Sequence, residues 1–369
     1  MRVTVQKEGL VKKIQDVMRA VSSKTPLPIL TTIKLSADLE GLTLTGSNST
    51  MSIQTVLPQS EQVEIKEVGA IALQAKVFSE IVKNLSEGPI DLIVSNLKAV
   101  IRSGKSEFKL NGMNAEEYPR LPEWETDYSF YLPSQLLRTL IRQTVFAVSS
   151  SETRPILTGV NWRLQNEELV CSATDSHLLA LRKVQVPESS PFNIVIPGKS
   201  LQELYALLPD TDEIITMKTN SSQMLFELPH LHFHTRLLEG AYPDITRFIT
   251  NEYKMKMSLS TQSFSQVMKR SLLLAGNYHV VKFISNANGE VRIISQSPEV
   301  GELIEDVETS SITGEETNIS FNAKYMADAL KAHDGDTITI SFTGAMRPII
   351  ITSPDDEDIL QLILPVRSY

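Results

Sequence analysis

The sequence predicts an α+β protein built from three similar units in tandem, and three observations lead there. The tetrapeptide Pro28-Ile29-Leu30-Thr31 returns as Pro155-Ile156-Leu157-Thr158, an offset of 127, and the same offset carries residues 42–49 (LTLTGSNS) onto residues 169–176 (LVCSATDS). A second pattern occurs three times, at residues 71–85 (IALQAKVFSEIVKNL), 194–208 (IVIPGKSLQELYALL) and 319–333 (ISFNAKYMADALKAH). Finally, 369 residues exceed what one core ordinarily holds, because domains run to about 100–200 residues. Repeats at a fixed period are sought first, since they set the architecture.

Taken in order, each unit opens with a short alternating strand and a helix: residues 3–5 then 10–21, 129–131 then 134–148, and 255–259 then 261–274. Apolar residues at three- and four-residue spacing mark the helices. The middle of each unit alternates apolar and polar residues between Gly, Asn and Ser turns, as in Leu42-Thr43-Leu44-Thr45, which reads as antiparallel strands. Each copy of the second pattern then reads as a strand, a turn of small residues with a lysine (Lys76, Lys199, Lys324), and an amphipathic helix. Tyr118-Pro119 and Tyr242-Pro243 close the first two units. Boundaries near Trp124 and Asn251 give units of 1–124, 125–250 and 251–369, each with two helices among many strands.

A hydrophobic fraction of 41% and a charged fraction of 21% are those of a globular protein. Apolar runs last only a few residues, against the roughly 18 that span a bilayer, and the N-terminus begins in alternation rather than a signal core, so a cytoplasmic protein with no membrane partner is expected. The single cysteine, Cys171, excludes an intrachain disulfide and a cysteine metal cluster, and its apolar neighbours predict a buried small side chain.

The net charge of −9 argues against a nucleic-acid partner until its distribution is read. The leading helix regions, residues 7–24, 133–150 and 260–275, carry +3, +2 and +2, so the remainder carries −16. Basic helices within an acidic chain suit a lining that attracts the phosphate backbone while the outside repels it. Lys12, Arg138 and Arg142 are the candidates from these helices. The sequence lacks an aromatic ladder for stacking on single strands, a recognition helix and a zinc finger, so contact would be to phosphates and independent of base sequence.

Catalytic signatures are absent: there is no P-loop, dinucleotide fingerprint, nucleophile elbow or metalloprotease helix. Asp175 and His177 could form part of a triad but have no nucleophile beside them. His230, His232 and His234 would put three imidazoles on one face of a strand, either a weak metal site or, as the plainer reading, a solvent-facing strand. The run Asp355-Asp356-Glu357-Asp358 lacks calcium-loop spacing and reads as a solvated hairpin turn.

Residues 25–31 (TPLPILT), 102–110 (RSGKSEFKL), 152–159 (ETRPILTG), 173–177 (ATDSH), 195–201 (VIPGKSL), 242–244 and 361–369 (QLILPVRSY) resemble the bacterial DNA polymerase III beta subunits, the beta sliding clamps, along the whole length and most like those of Bacillus-like bacteria. The resemblance implies three clamp domains, each with two helices on antiparallel sheets, and a head-to-tail homodimer forming a six-domain ring with helices lining the hole. It implies a non-catalytic processivity factor without cofactor or metal, located in the cytoplasm at the nucleoid. Its partners would be double-stranded DNA, the replicative polymerase, the clamp loader and other proteins with a clamp-binding motif.

Site residues carried over by the resemblance fall into three groups. Lys24 and Arg154 match loop positions that approach DNA, and Lys199 matches a basic position on a lining helix. Phe108 and Leu110 of one chain would meet Leu273 and Leu274 of the other, with Lys98, Arg102 and Lys105 flanking against Glu299 and Glu302. A partner-peptide pocket would use Leu157, Thr174, Ser176, His177 and Leu179 from the second unit; Pro243, Arg247 and Phe248 beyond it; and Leu362, Leu364, Pro365, Val366 and Arg367 from the end of the chain. The sequence departs from the family where Leu178 follows the pocket histidine in place of arginine, and where residues 275–280 (AGNYHV) form a segment one residue shorter and less charged than usual. The first departure bears on partner choice. The second bears on dimer strength, and with it on an adaptor that keeps the pocket without closing a ring.

Overall fold

The structure, a computed structural model, describes residues 1–22, 24–120, 128–186, 190–250 and 252–367. The expected boundaries at Trp124 and Asn251 lie outside the described residues.

The three repeats have the expected element order. The first consists of β1 (Arg2–Gln6), α1 (Lys7–Met18), β2 (Thr32–Ala37), β3 (Gly41–Ser47), β4 (Met51–Pro58), β5 (Val63–Glu67), β6 (Gly69–Gln74), α2 (Ala75–Asn84), β7 (Pro89–Ser95), β8 (Lys98–Ser103) and β9 (Ser106–Asn111). The second runs β10 (Tyr128–Pro133), α3 (Ser134–Thr144), β11 (Gly159–Gln165), β12 (Glu168–Thr174), β13 (Leu178–Gln185), β14 (Phe192–Pro197), α4 (Gly198–Leu207), β15 (Ile214–Thr219), β16 (Gln223–Leu228) and β17 (Leu231–Arg236). The third runs β18 (Met255–Ser260), α5 (Thr261–Leu272), β19 (Val280–Ser285), β20 (Val291–Ser297), β21 (Gly301–Val307), β22 (Ser311–Gly314), β23 (Thr317–Asn322), α6 (Ala323–Leu330), β24 (Thr337–Phe342), β25 (Ile349–Ser353) and β26 (Asp356–Ile363).

The helices form where the spacing required them. On α1 the buried Leu10, Ile14 and Val17 fall at i, i+4 and i+7, and on α5 Phe264, Val267, Met268 and Ser271 make the buried stripe. Ser260 caps α5 by accepting from the Ser263 N–H, and Asn322 caps α6 by accepting from the N–H groups of Lys324 and Tyr325. All three leading helices end earlier than expected. After α1 the chain turns tightly, with the Ala20 N–H on the Val17 carbonyl, and α3 gives way to a 3-10 turn at Val145–Ala147.

By packing, the chain falls into two compact units that each draw on more than one repeat: Met1–Gln135 with Glu203–Leu237, and Leu136–Gln202 with Leu238–Tyr369. Edge pairing between repeats accounts for this division. In the first unit β17 of the second repeat pairs with β4 of the first, Phe233 opposite Ile53, giving an eight-stranded sheet β10-β15-β16-β17-β4-β3-β2-β6 beside a five-stranded one, β5-β1-β7-β8-β9. In the second unit β13 pairs with β26, Leu179 opposite Leu362, giving a nine-stranded sheet β14-β11-β12-β13-β26-β25-β24-β18-β22 beside a four-stranded one, β21-β20-β19-β23. All the pairings are antiparallel, and β4 and β13 occupy the same place in their repeats, 127 residues apart.

The cores lie between sheets and helices. Phe78, Phe130 and Phe226 are fully buried in the first unit, and Trp162, Phe264 and Phe321 in the second, where Phe283 stacks on Phe342 with centroids 4.6 Å apart. Cys171 is buried and its thiol pKa is pushed up by that burial, as an inert core residue requires. Among the described residues no helix is long and apolar enough to cross a membrane.

Candidate functional site

In the second unit a cavity of about 250 Å3 opens where the β12–β13 loop, the segment after Tyr242 and the end of β26 converge. Its floor follows from the strand pairing: Leu179 and Leu362 face each other across β13 and β26, and with Ile350 they form a buried cluster to which Ile245, Leu360 and Leu364 add. The loop at its rim is built by short polar side chains. Thr174 Oγ1 donates to the Leu178 carbonyl at 2.6 Å and accepts from the Ser176 N–H at 3.1 Å, while Asp175 Oδ1 accepts from the N–H groups of His177 and Leu178, both at 2.8 Å. Ser176 takes a left-handed φ of 81°, which turns the His177 carbonyl to accept from the Leu364 N–H at 2.8 Å. Tyr242 Oη accepts from the Thr174 N–H at 3.0 Å.

Thr174, Ser176, His177, Leu179, Pro243, Phe248, Leu362 and Leu364 come together on this wall. Phe248 remains 54% exposed, an aromatic at the mouth of an apolar cavity. The other expected pocket residues stand elsewhere. Leu157 is buried in the 3-10 turn Pro155–Thr158; Arg247 is exposed and held at 3.1 Å by Asp244; Val366 donates its N–H to the Ser320 carbonyl; Pro365 is half-buried and Arg367 exposed beyond β26. Three wall residues were not expected in that role: Arg154, assigned to DNA; Leu178, noted only as a departure; and Ile245. Ile245 could have been found as the aliphatic side chain directly after Tyr242-Pro243-Asp244 and three residues before Phe248.

The residues that suggested catalysis or metal are used structurally. Asp175 spends one oxygen on the loop and the other on the Tyr325 hydroxyl, at 2.7 Å, so it does not orient His177. The three histidines do not share one solvent face: His230 lies in the turn before β17 with a φ of 60°, while β17 runs between β16 and β4 and buries His234. Burial first, and the neighbouring His232 second, push the His234 pKa down to about 4. Among the described residues no group of three or more His, Cys, Asp or Glu is placed to hold a metal. The acidic run opens β26 after a two-residue turn, and Asp356 pairs there with Arg182 of β13.

β9 and β21 each stand at the edge of a sheet and carry apolar residues. On β9 Phe108 is 39% exposed and Leu110 half-buried, both on the face that β8 turns inward through Ile101 and Ala99. At β21 Leu303 lies on the inward face, Ile304 is exposed, and Leu273, 80% exposed, and Leu274 follow α5 nearby in the chain. Arg102 and Lys109 both pair with Glu107 on the β9 side, at 2.7 and 3.2 Å, while Glu299 and Glu302 are exposed on the β21 side. Edges of this kind invite pairing with another chain.

Residues 1–122, 131–244 and 246–367 match, in turn, the N-terminal, central and C-terminal domains of the DNA polymerase III beta subunit. The chain belongs to that family. The beta sliding clamp of Bacillus subtilis strain 168 is 49% identical over 378 residues, and that of Halalkalibacterium halodurans 45% over 380, each covering all of both chains. Among solved structures, the DNA polymerase sliding clamp from Bacillus subtilis superposes with a TM-score of 0.97 at 49% identity, and the DNA polymerase III beta chain from Streptococcus pneumoniae with 0.95 at 38%, both over the full length of each chain. The fold is thus three repeated clamp domains with antiparallel sheets, and the family is a non-catalytic accessory subunit of the polymerase.

Within this beta-subunit fold the helix charges are more engaged than their count suggested. Lys12 on α1, Lys24 and Lys199 are exposed. Arg138 is half-buried, and Arg142 donates to the Lys331 carbonyl at 3.0 Å and pairs with Asp334. Arg270 of α5 grips Glu305 of β21 through two nitrogens, and Arg19 pairs with Glu203 at 2.9 Å. Arg154 reaches Ser176 Oγ at 3.4 Å on the pocket rim.

Proposed function

We infer that this chain is a DNA sliding clamp, a processivity subunit whose two copies close head to tail around duplex DNA and hold partner proteins through the pocket at Leu179 and Leu362. Ring closure rests on one observation. Each repeat has a strand of the β4 and β13 type and one of the β17 and β26 type, and within the chain two such pairs are already joined; the unjoined strands of these two types are β21 and β9, each at the edge of its sheet. Pairing β21 of one copy with β9 of the next repeats the same junction, and two identical junctions close a ring of six domains, with domains at 1–124, 125–250 and 251–369. Phe108 and Leu110 then meet Leu273 and Leu274.

Lys12, Lys24, Arg138 and Lys199 supply the phosphate contacts, which need no base recognition and so permit sliding. Arg142, tied to Asp334, contributes less, and Arg154 serves the pocket rim. The pocket's apolar floor and small volume fit two adjacent apolar side chains of a peptide, the anchor mode by which the replicative polymerase, the clamp loader and other partners would be tethered. A protein that acts on chromosomal DNA would be located in the cytoplasm, at the nucleoid. Sedimentation equilibrium tests the closure: a mass of twice 41.1 kDa across the micromolar range is expected, and a monomer there would leave only a peptide-binding adaptor.

A further inference from the structure

We propose that Lys269 of α5 is a joint residue and not a DNA-lining one: in the closed ring it caps the C-terminal end of α2 in the second copy. The proposal rests on the reading of the chain as a head-to-tail ring.

The joint already formed between the second and third repeats supplies the pattern. There α3 of the second repeat meets the end of α6 of the third, where the last carbonyls have no partner within the helix. Arg142 donates to the Lys331 carbonyl at 3.0 Å and pairs with Asp334, and Gln143 donates to the Ala332 carbonyl at 2.9 Å. A cation at this place also meets the negative end of the helix dipole. The joint between the first and second repeats bridges the same two kinds of helix, α1 and α4, through Arg19 and Glu203 at 2.9 Å.

The ring joint brings together α5 of one copy and α2 of the other, and each half carries its part of the same arrangement. Counted from the first residue of the leading helix, Ser134 or Thr261, Lys269 and Arg270 take the places of Arg142 and Gln143. Lys83 and Asn84 end α2 at the places that Lys331 and Ala332 hold in the pattern shared by residues 71–85 and 319–333. Among the described residues no hydrogen bond reaches the carbonyls of Lys83 and Asn84, whereas the Leu85 carbonyl accepts from Lys7 at 2.6 Å. Gln143 is buried by its joint, but Arg270 stays exposed and holds Glu305 of its own chain, which leaves the exposed Lys269 to reach across. The carboxylate that Asp334 offers Arg142 has its counterpart in Glu87, which follows the equivalent Ser86 and stands exposed beside Lys7.

Lys269→Met keeps the side-chain stem and removes the donors. With two joints in the ring and about threefold lost at each, its dimer dissociation constant in fluorescence-detected sedimentation should rise about tenfold, and Lys269→Arg should hold it near wild type. Glu87→Gln should weaken the dimer as well, and Lys269→Met with Glu87→Gln should be no weaker than Lys269→Met alone, because the acid acts through the lysine. At concentrations that keep both proteins dimeric, the salt dependence of duplex DNA binding by Lys269→Met should match wild type. An unchanged dimer constant, additive losses in the double variant, or a DNA salt slope reduced by about one overturns the joint role alone. A wild-type protein that stays monomeric overturns the ring reading and this role together.

Discussion

Phe108→Ala should dissociate the ring. The 39% of Phe108 left exposed on β9 is roughly 80 Å2 of apolar surface, and covering it at ~25 cal/mol per Å2 contributes about 2 kcal/mol at each junction. A head-to-tail pair contains that junction twice, so truncation costs about 4 kcal/mol per dimer, close to a thousandfold in dissociation constant. Fluorescence-detected sedimentation over nanomolar to micromolar protein measures this directly. Thermal unfolding of the separated chain should barely change, since Phe108 lies on an edge strand and is not part of a closed core. A dissociation constant within threefold of wild type would refute the claim that β9 is half of the junction.

Register gives a sharper version. The β16–β17 hairpin, Leu228 opposite Leu231, corresponds to β8–β9, Ser103 opposite Ser106, which places Phe108 where Phe233 stands; the inward Ile53 and Leu57 of β4 correspond to Leu303 and Val307 of β21. Phe108 should therefore lie opposite Leu303 in a pair without ladder hydrogen bonds, and Phe108→Cys with Leu303→Cys should cross-link two chains on oxidation, the native Cys171 being buried; cross-linking no faster than with Phe108→Cys and Ile304→Cys would show a different register. Leu364→Asp should abolish binding of a labelled ten-residue peptide carrying a Leu-Phe pair while leaving the dimer mass unchanged, and loss of both in sedimentation and binding assays would mean that the pocket supports the fold instead. Lys12→Glu with Lys199→Glu should weaken DNA binding uniformly across sequences and flatten its salt dependence, measured by titration at several salt concentrations, with an unchanged slope excluding both from the DNA face. His234 is held neutral by burial, so its contribution is complete above the unfolded pKa near 6.5 and is lost as pH falls toward the folded value of about 4; the cost between pH 7 and 5 is about 2 kcal/mol, and urea unfolding should show it in wild type and not in His234→Phe.

The order of elements was legible because it rests on local periodicity. The three strand–turn–helix segments became β6–α2, β14–α4 and β23–α6, and the Pro-Ile-Leu-Thr repeat became two 3-10 turns, Pro28–Thr31 and Pro155–Thr158. What periodicity does not carry is which edges meet. β17 alternates Leu231, Phe233 and Thr235 inward with His232 and His234, a pattern equally suited to an exposed strand, and only its pairing with β4 buries His234. Charge counting failed for the same reason at Arg142, whose Asp334 is 192 residues away, and at Arg270, whose Glu305 lies on β21. In the pocket, residues brought in by the motif at 173–177 and by the chain end were found because they sit in recognisable segments, whereas Ile245 sits in a segment without periodicity.

Topological capture of DNA tests the central claim most directly. Protein loaded by a clamp loader onto nicked circular DNA, then washed at high salt, should stay bound and leave when a restriction enzyme opens the circle, because a closed ring holds DNA by linkage and not by phosphate contacts. Release by salt from the intact circle, or retention after cutting, would contradict a ring around the duplex.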